Sequence, residues 1–419
     1  MSGHLASQQV AKSTYGEVVL TGATVHTVTQ GTLTDTDVHI KDGKIIAVGG
    51  NLTSGDAQTI DCSGKHIYPG FIDSGTRLGL SEVSAVSLTN DFNEIGDITP
   101  QMKALTAVNP NSVAIPVTRV NGVTSVIVAP TGGIFSGTAQ LINLHGYTPA
   151  QMDAGFHGLV MNFPSAARRG RRDRRSDEDI KKAQEKATKK INDLWSEVAL
   201  YHKIDSAGAK VSGATMTYQP EVKALLPVYR GETTLLVNAN KDKDIEAALE
   251  WIKETGVKAI LTGVSEGYRV AEKIAAAGIP VITGPVQSIP GRQEARYDIA
   301  YANAGLMQKA GVKVALRTND SENVRNLPFH AGFAAAYGMG VEEALKAITI
   351  NPAEMFGLGD QYGSIEAGKV ANLFVSDEDP FEMKTRITHL FIKGWNIPME
   401  SRHTLLYDEF LERSPGLDR

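Results

Sequence analysis

Short apolar segments recur along the middle of this chain, and in its second half they alternate with segments that have helical spacing. The segments that can form strands are residues 70–74, 124–128, 140–144, 158–162, 234–238, 258–262, 279–283 and 312–316. Helix patterns at 244–255, 267–277 and 300–310 each stop at a glycine, the residue most often found just past a helix. Strand–helix alternation predicts a parallel sheet. Eight repeats predict a closed barrel, whose active site lies at the carboxyl ends of its strands.

The size and composition of the chain allow such a barrel and exclude several other classes. The 419 residues leave room for a barrel of roughly 250 residues plus a smaller domain. A net charge of −5 implies no global attraction to nucleic acid. The single cysteine, Cys62, excludes an intramolecular disulfide and a thiolate cluster. No apolar run approaches the roughly 18 residues of a membrane span.

The first 16 residues are polar and contain no apolar core of a signal peptide. We therefore expect a cytoplasmic protein, or a periplasmic one if the sequence begins after a signal that has been removed.

Both ends of the chain have the pattern of β-structure. Near the start, residues 17–20, 24–28, 37–41 and 44–48 are apolar or alternating, and Asp42-Gly43 separates the last two. Asp-Gly between two apolar runs predicts a hairpin. Short β-branched runs at 363–365, 371–375 and 387–392 predict strands near the other end.

Two motifs in this sequence resemble the amidohydrolase superfamily. Residues 68–77, Tyr-Pro-Gly-Phe-Ile-Asp-Ser-Gly-Thr-Arg, are similar to its first barrel strand, where Pro-Gly-hydrophobic-hydrophobic-Asp-x-His-x-His opens a metal site. Residues 351–373 resemble its C-terminal signature. The resemblance to the imidazolonepropionase-like branch extends over nearly the whole chain. It implies an α/β fold with a (β/α)8 TIM-like barrel at 71–361, and a small β-sandwich built from residues 1–70 and 362–419. The family hydrolyses C–N bonds with water activated by zinc or another divalent metal.

The positions that match the family's metal ligands hold other residues here. The two histidines of the first strand are replaced by Gly75 and Arg77. Asn238, followed by Asn240, and Thr262 stand where strands 5 and 6 carry histidines. Glycine and a permanently protonated guanidinium cannot bind zinc. We therefore expect no binuclear metal centre and no cofactor.

On strand 8, Asn319 replaces the family's aspartate, and Asp320 follows one residue later. A slip of one residue in this assignment would return Asp320 to the ligand position, so the sequence leaves this strand open.

Two arginines flank the place where the metals would lie. Strand 8 neighbours strand 1 in an eight-stranded barrel, so Arg77 and Arg317 are expected to converge there. They can fill the emptied cavity and pair with Asp73 or Asp320, because a buried guanidinium needs a carboxylate. They can also clamp an anionic ligand, since arginine suits bidentate binding of carboxylate or phosphate. Both interpretations remain open.

An arginine-rich insertion at about 164–205 interrupts the barrel pattern. Residues 168–175 are mostly arginine, and an amphipathic helix pattern follows from about 176 to 204. Because the overall charge is negative and no aromatic platform lies nearby, a solvated loop over the barrel mouth is favoured. An anionic ligand or a subunit contact is the alternative.

Two functions follow from these patterns. The first is a hydrolase that has kept its pocket, with weak or metal-independent hydrolysis in which Asp320 or His330 is the general base. The second is a noncatalytic binding or assembly subunit, a pseudoenzyme, for which the dihydropyrimidinase-related structural proteins are a precedent on this scaffold. Its ligand would be a small molecule, for which an anion is one candidate. Its protein partners would be further copies of itself or a catalytically complete relative. Neither nucleic acid nor a membrane is expected as a partner.

Overall fold

The computed structural model describes residues 12–53, 55–167, 174–208, 219–292 and 294–413. Residues 168–173, most of the predicted arginine run, lie outside this part of the chain. The strands are, in chain order, β1 Thr14–Tyr15, β2 Val18–His26, β3 Thr32–Lys41, β4 Lys44–Gly49, β5 Gln58–Asp61, β6 His66–Pro69, β7 Phe71–Thr76, β8 Val123–Val128, β9 Phe135–Asn143, β10 Asp153–Asn162, β11 Thr234–Ala239, β12 Ala259–Gly263, β13 Val281–Thr283, β14 Val314–Leu316, β15 Leu373–Ser376, β16 Ile387–Ile392 and β17 Trp395–Ile397.

The α-helices lie mostly between these strands. They are α1 Ala114–Arg119, α2 Pro149–Met152, α3 Asp177–Gly208, α4 Pro220–Tyr229, α5 Asp242–Thr255, α6 Ala271–Ala277, α7 Ile299–Lys309, α8 Leu327–Ala334, α9 Val341–Ala347, α10 Ile350–Met355 and α11 Arg402–Arg413. No helix in the described ranges is both long and apolar enough to cross a membrane.

Strands β7 to β14 form the barrel in chain order, and each overlaps one of the eight predicted segments. The barrel closes between its last and first strands through backbone hydrogen bonds just beyond β14. Asn319 N–H donates to Gly75 O at 3.0 Å, and Arg77 N–H donates to Asp320 O at 2.9 Å. The predicted (β/α)8-like fold is therefore confirmed, and the strand ends that carry Gly75 and Asn319 lie side by side.

The expectation of a wholly parallel sheet was wrong for the third barrel strand. Strand β9 runs antiparallel to both β8 and β10, while the other neighbours are parallel. Only residues 129–134 connect β8 to β9. A parallel connection needs a crossover of a dozen or more residues, so this short loop can make only a hairpin. The start of β9, instead of its end, therefore lies at the barrel mouth.

The two ends of the chain share one β-sheet, as predicted. Strand β15 pairs antiparallel with β6, and β2 pairs with β3, β5 and β6 in the same sheet. The hairpin at Asp42-Gly43 is confirmed: both residues have positive φ, 50° and 78°. This is the combination that a type I′ turn requires.

The long helix predicted in the insertion is present as α3 and packs onto the barrel. Its side chains Ile191, Leu194 and Val198 are buried. Trp195 meets Trp251 of α5 edge to face, with ring centroids 5.5 Å apart. Burial of this apolar face attaches the insertion to the outside of the barrel.

A buried polar junction joins the terminal sheet to the barrel. Asn372 Nδ2 donates to Ser125 Oγ at 3.1 Å and to Asn143 Oδ1 at 2.8 Å. The Asn372 Oδ1 accepts the backbone N–H of Lys393 at 2.8 Å. All three side chains are nearly inaccessible, so these bonds have no water to replace them.

We predict that Asn372→Ala lowers the free energy of unfolding by about 2 to 4 kcal/mol, because it leaves buried donors and acceptors unpaired. Urea denaturation followed by circular dichroism measures the change. Asn111→Ala, at an exposed site, is the control and should shift stability by no more than about 0.5 kcal/mol. Equal effects of the two substitutions would contradict the role of the junction.

Candidate functional site

A cavity with a volume of about 430 Å³ lies at the carboxyl ends of the barrel strands. Its apolar floor includes Ile127, Val160 and Leu236, which belong to the barrel interior. Its walls contain both polar and apolar residues, and they come from the strand ends and the long segment after β13. Such a cavity at this end of a barrel is where a ligand is expected.

The structure brings most of the predicted site residues together in this cavity. The predicted site residues that line it are Arg77, Arg317, Asn238, Asn240, Thr262 and Asn319. Asp320 and His330 do not line it. The left-handed backbone of Asn319, with φ of 54°, separates its side chain from that of Asp320.

Gly75 makes room for the side chain of Arg317. A Cβ atom at position 75 would lie 2.9 Å from Arg317 Cδ and 3.6 Å from its Nη1. Any residue larger than glycine, including the family's histidine, would require the arginine to move. The glycine at position 75 and the position of the Arg317 side chain therefore depend on each other.

Arg317 is a cation without a hydrogen-bonded carboxylate. Burial lowers its pKa to about 10, opposed by the charge of Asp73 and reinforced by repulsion from Arg77. It is therefore protonated at neutral pH. The residue keeps some accessibility because it borders the cavity, yet its Nε is buried and has no partner.

Ser74 adds a second unsatisfied group. Among the described residues, three buried side-chain polar atoms lack a hydrogen-bond partner, namely Ser74 Oγ, Arg119 Nε and Arg317 Nε. Ser74 and Arg317 both line the cavity. Buried polar atoms are nearly always paired, so two unpaired ones in the same place suggest a missing ligand or water. The sequence analysis did not identify Ser74, which immediately precedes Gly75 on β7.

Asp73 bonds with its strand neighbours and makes no direct pair with the arginines. It accepts hydrogen bonds from Gly75 N–H at 3.1 Å, Thr318 N–H at 3.2 Å and Thr318 Oγ1 at 2.6 Å. Burial raises its pKa to about 7, although these bonds and the charge of Arg317 oppose the rise. Asp73 therefore acts on Arg317 by charge alone, and the suggested Asp73–arginine pairing is not observed.

Arg77 lies above an aromatic ring. Its guanidinium carbon is 5.2 Å from the centroid of Phe92, a cation–π distance. Its Nη2 donates weakly to Asn319 O at 3.4 Å. Arg77 and Arg317 are both half-buried, and of the two it is Arg317 whose Nε is enclosed without a partner among the described residues.

The asparagines at the strand ends bond to one another. Asn240 Nδ2 donates to Asn238 Oδ1 at 3.2 Å, and Asn238 Nδ2 donates to Asn162 Oδ1 at 3.0 Å. Asn162 in turn donates to Ser136 Oγ at 3.1 Å. A row of amides therefore lies at the ends of β10 and β11, the fourth and fifth barrel strands, where the resemblance to the family would place metal ligands.

An ion-pair network at the rim was missed by the sequence analysis. Glu266 accepts from Lys241 Nζ and Arg292 Nε, each at 2.8 Å, and Asp242 pairs with Arg292 at 2.9 Å. Burial alone would raise the pKa of Glu266, but these bonds lower it to about 2. The members come from distant parts of the chain, so no local motif indicated them. The network fixes the segment after β13 across the cavity.

The two proposed general bases lie outside the cavity and have other roles. His330 is buried, and its Nδ1 accepts Val286 N–H at 3.0 Å; burial lowers its pKa to about 4. Asp320 accepts the backbone N–H of Ser321 at 2.7 Å and of Glu322 at 2.9 Å. Burial opposes these bonds, yet the pKa of Asp320 is lowered. Both side chains stabilise loops around the cavity.

The donor set does not fit the family's divalent metals. The strand ends offer amides, a hydroxyl and two guanidinium groups, whereas such centres use imidazole and carboxylate. No group of three or more His, Cys, Asp or Glu in the described ranges could hold a metal ion. The positive charge of Arg77 and Arg317 would also repel a divalent cation.

Comparison with known proteins identifies the family. The model of the amidohydrolase family matches residues 67–396. Amidohydrolase tasK of Hapsidospora irregularis is 24% identical over 394 residues, which cover 85% of this chain but only 39% of tasK. An imidazolonepropionase of Shouchella clausii is 42% identical over 85 residues, 19% of each protein. The chain thus spans well under two thirds of these curated relatives.

A solved structure matches almost the whole fold. The amidohydrolase from Thermotoga maritima MSB8 is 27% identical, with a TM-score of 0.82 over 91% of this chain and 99% of that one. The structure titled molinate hydrolase is 17% identical with a TM-score of 0.58, a likeness of fold alone. The chain therefore belongs to the amidohydrolase family, in its imidazolonepropionase-like branch.

Proposed function

We propose that this amidohydrolase-family protein binds a small anion in its barrel mouth, without a divalent metal and without hydrolysing it. The observation that carries the proposal is the pair of unsatisfied buried groups, Ser74 Oγ and Arg317 Nε, in a cavity that also contains Arg77. An anion supplies the acceptor atoms that both groups lack. It also neutralises two guanidiniums that repel each other.

A carboxylate with a short apolar tail suits the cavity best. Guanidinium groups bind carboxylates with paired, parallel hydrogen bonds. The apolar floor of Ile127, Val160 and Leu236 offers a surface for the tail. The volume of about 430 Å³ is within the range of small-molecule sites.

The positions of the candidate bases do not favour catalysis. Asp320 and His330 point into loop hydrogen bonds, so neither has a free acceptor near the cavity. The acidic group closest to the strand ends, Asp73, is enclosed by Thr318 and Gly75. A binding subunit, alone or assembled with a catalytically complete relative, is consistent with this geometry.

Hydrolysis is the second candidate, because the fold matches that of the Thermotoga amidohydrolase over nearly its full length. In that case Arg317 would stabilise an oxyanion, and the carboxylate that lines the cavity, Glu266, would have to leave its ion pairs with Lys241 and Arg292 to activate water. Release of product from an amide panel would favour this candidate over binding alone.

We expect isobutyrate and sulfate to bind, and Arg317→Met to weaken both by at least about tenfold, since a charge-assisted bond is worth about 1.5 to 3 kcal/mol. Isothermal titration calorimetry measures the affinities. Removing an unpaired buried charge should leave stability unchanged or raise it, which separates lost binding from misfolding. Arg386→Met, an exposed site outside the cavity, is the matched control. Unchanged affinity in Arg317→Met would refute the anion site.

Anion affinity should also depend on pH through Asp73. Its pKa of about 7 means that the carboxyl loses its proton as the pH rises through neutrality. The new negative charge weakens the field of Arg317, so sulfate should bind more tightly at about pH 6 than at about pH 8. Glu266 and His330 have pKa values of about 2 and 4, and Arg317 of about 10, so none titrates in this window. Asp73→Asn should remove the dependence; the same slope in that variant would contradict the assignment.

We predict that protein purified from cells supplied with zinc, iron and manganese contains no bound metal at the strand ends. Elemental analysis should find far less than one equivalent of any of them, because the strand ends lack imidazole and carboxylate ligands. A chelator should leave the thermal midpoint unchanged. Near-stoichiometric metal that a Gly75→Leu or Asn238→Leu variant loses would overturn the metal-free proposal.

A further inference from the structure

A second cavity lies between the terminal sheet and helix α9, and it shares no lining residue with the barrel mouth. Its volume is about 390 Å³. The terminal sheet contributes His26, Thr32 and Tyr68, the barrel contributes α9, and the connection after β15 contributes residues 379–381. Nothing in the anion-binding proposal uses this cavity.

Aromatic rings form one wall of this cavity. His26 stacks on Tyr68 with centroids 4.1 Å apart and planes 5° apart, and Phe381 lines the cavity as well. Both nitrogens of His26 already have partners: Nδ1 is 3.3 Å from Thr32 Oγ1, and Nε2 is 3.1 Å from His66 Nδ1. Burial lowers the pKa of His26 to about 4, so the imidazole is neutral. Tyr68 is buried between His26 and Phe374, so the uncharged ring that this wall offers to the cavity is the half-buried imidazole of His26.

The charge at the mouth of the cavity is acidic. Asp379 and Glu342 both line it, and neither forms an ion pair with a described side chain. Lys346 also lines it, but its Nζ pairs with Glu343 at 2.7 Å. One oxygen of Asp379 accepts Phe381 N–H at 2.9 Å, which fixes the carboxylate beside the ring wall. Asp379, His26 and Tyr68 line the same cavity.

We propose that this cavity binds a small organic cation that carries an aromatic ring, with its ring against the His26–Tyr68 wall and its ammonium group beside Asp379. Stacking and cation–π contact favour a flat cationic ligand on aromatic surface. A neutral ring would gain no attraction from the exposed carboxylates of Asp379 and Glu342, and an anion would be repelled by them.

Tyramine tests the proposal, because its analogues remove one feature at a time. The alcohol 2-(4-hydroxyphenyl)ethanol keeps the ring without the charge, and n-butylamine keeps the charge without the ring. Calorimetry and saturation-transfer NMR should show that tyramine binds about tenfold or more tightly than either analogue. Equal affinity of tyramine and the alcohol would overturn the role of Asp379. No detectable binding of tyramine at millimolar concentration would overturn the site.

Substitutions place the bound tyramine in this cavity. Asp379→Asn should weaken tyramine about two- to fivefold, because the carboxylate is solvent-exposed, and leave the alcohol unaffected, whereas Glu378→Gln, an exposed neighbour outside the cavity, should change neither. Val341→Trp puts a large ring on a residue that is 58% exposed at the rim and should block tyramine without unfolding the protein. Arg317→Met, in the other cavity, should have no effect. Tyramine binding that survives both Asp379→Asn and Val341→Trp refutes the assignment.

Discussion

The guanidinium of Arg317 determines the character of the barrel mouth. It occupies the space that Gly75 leaves on the neighbouring strand, and it lies above the bonded pair of Asp73 and Thr318. Burial lowers its pKa to about 10, because the charged guanidinium loses solvation there, while the charge of Asp73 opposes this and that of Arg77 reinforces it. Among the described residues no carboxylate bonds to this cation, so it retains strong positive charge at the barrel mouth.

The asparagines at the strand ends are compatible with the presence of Arg317. Asn240, Asn238 and Asn162 satisfy one another by hydrogen bonds, so their amides form a self-consistent wall. Each amide is neutral and adds no negative charge to balance the arginines. Restoring a single histidine at position 75 would collide with Arg317 and would still lack imidazole partners on the other strands. The site therefore differs from a metal centre as a unit, because its residues support one another.

The fold was largely predictable from the sequence, and the site only in part. The barrel strands have continuous apolar runs, and the Asp42-Gly43 turn has a local chemical signature, so both could be identified without coordinates. The direction of β9 was not predicted, because apolar runs contain no information on strand direction. That information lies in the short connection of residues 129–134. Arg77, Arg317 and the asparagines were placed by their register on the strands. The residue types of Asp320 and His330 suit a general base, so the sequence predicts that role for them. Their backbone hydrogen-bond partners depend on the tertiary structure, which the sequence does not reveal. The Glu266–Arg292 network joins residues from distant loops and has no signal in the sequence.

The two cavities have opposite electrostatic character, and this follows from how each part of the chain is built. The barrel mouth collects side chains from the ends of parallel strands, where two arginines meet no bonded carboxylate. The second cavity lies where the terminal sheet meets α9, and there Asp379 and Glu342 stand beside stacked rings. With a net charge of −5, the protein is acidic overall, so long-range attraction would favour cations and oppose anions. An anion that reaches the barrel mouth must therefore be held by local contacts with Arg317, Arg77 and Ser74, which makes geometry, more than bulk charge, the basis of selectivity there.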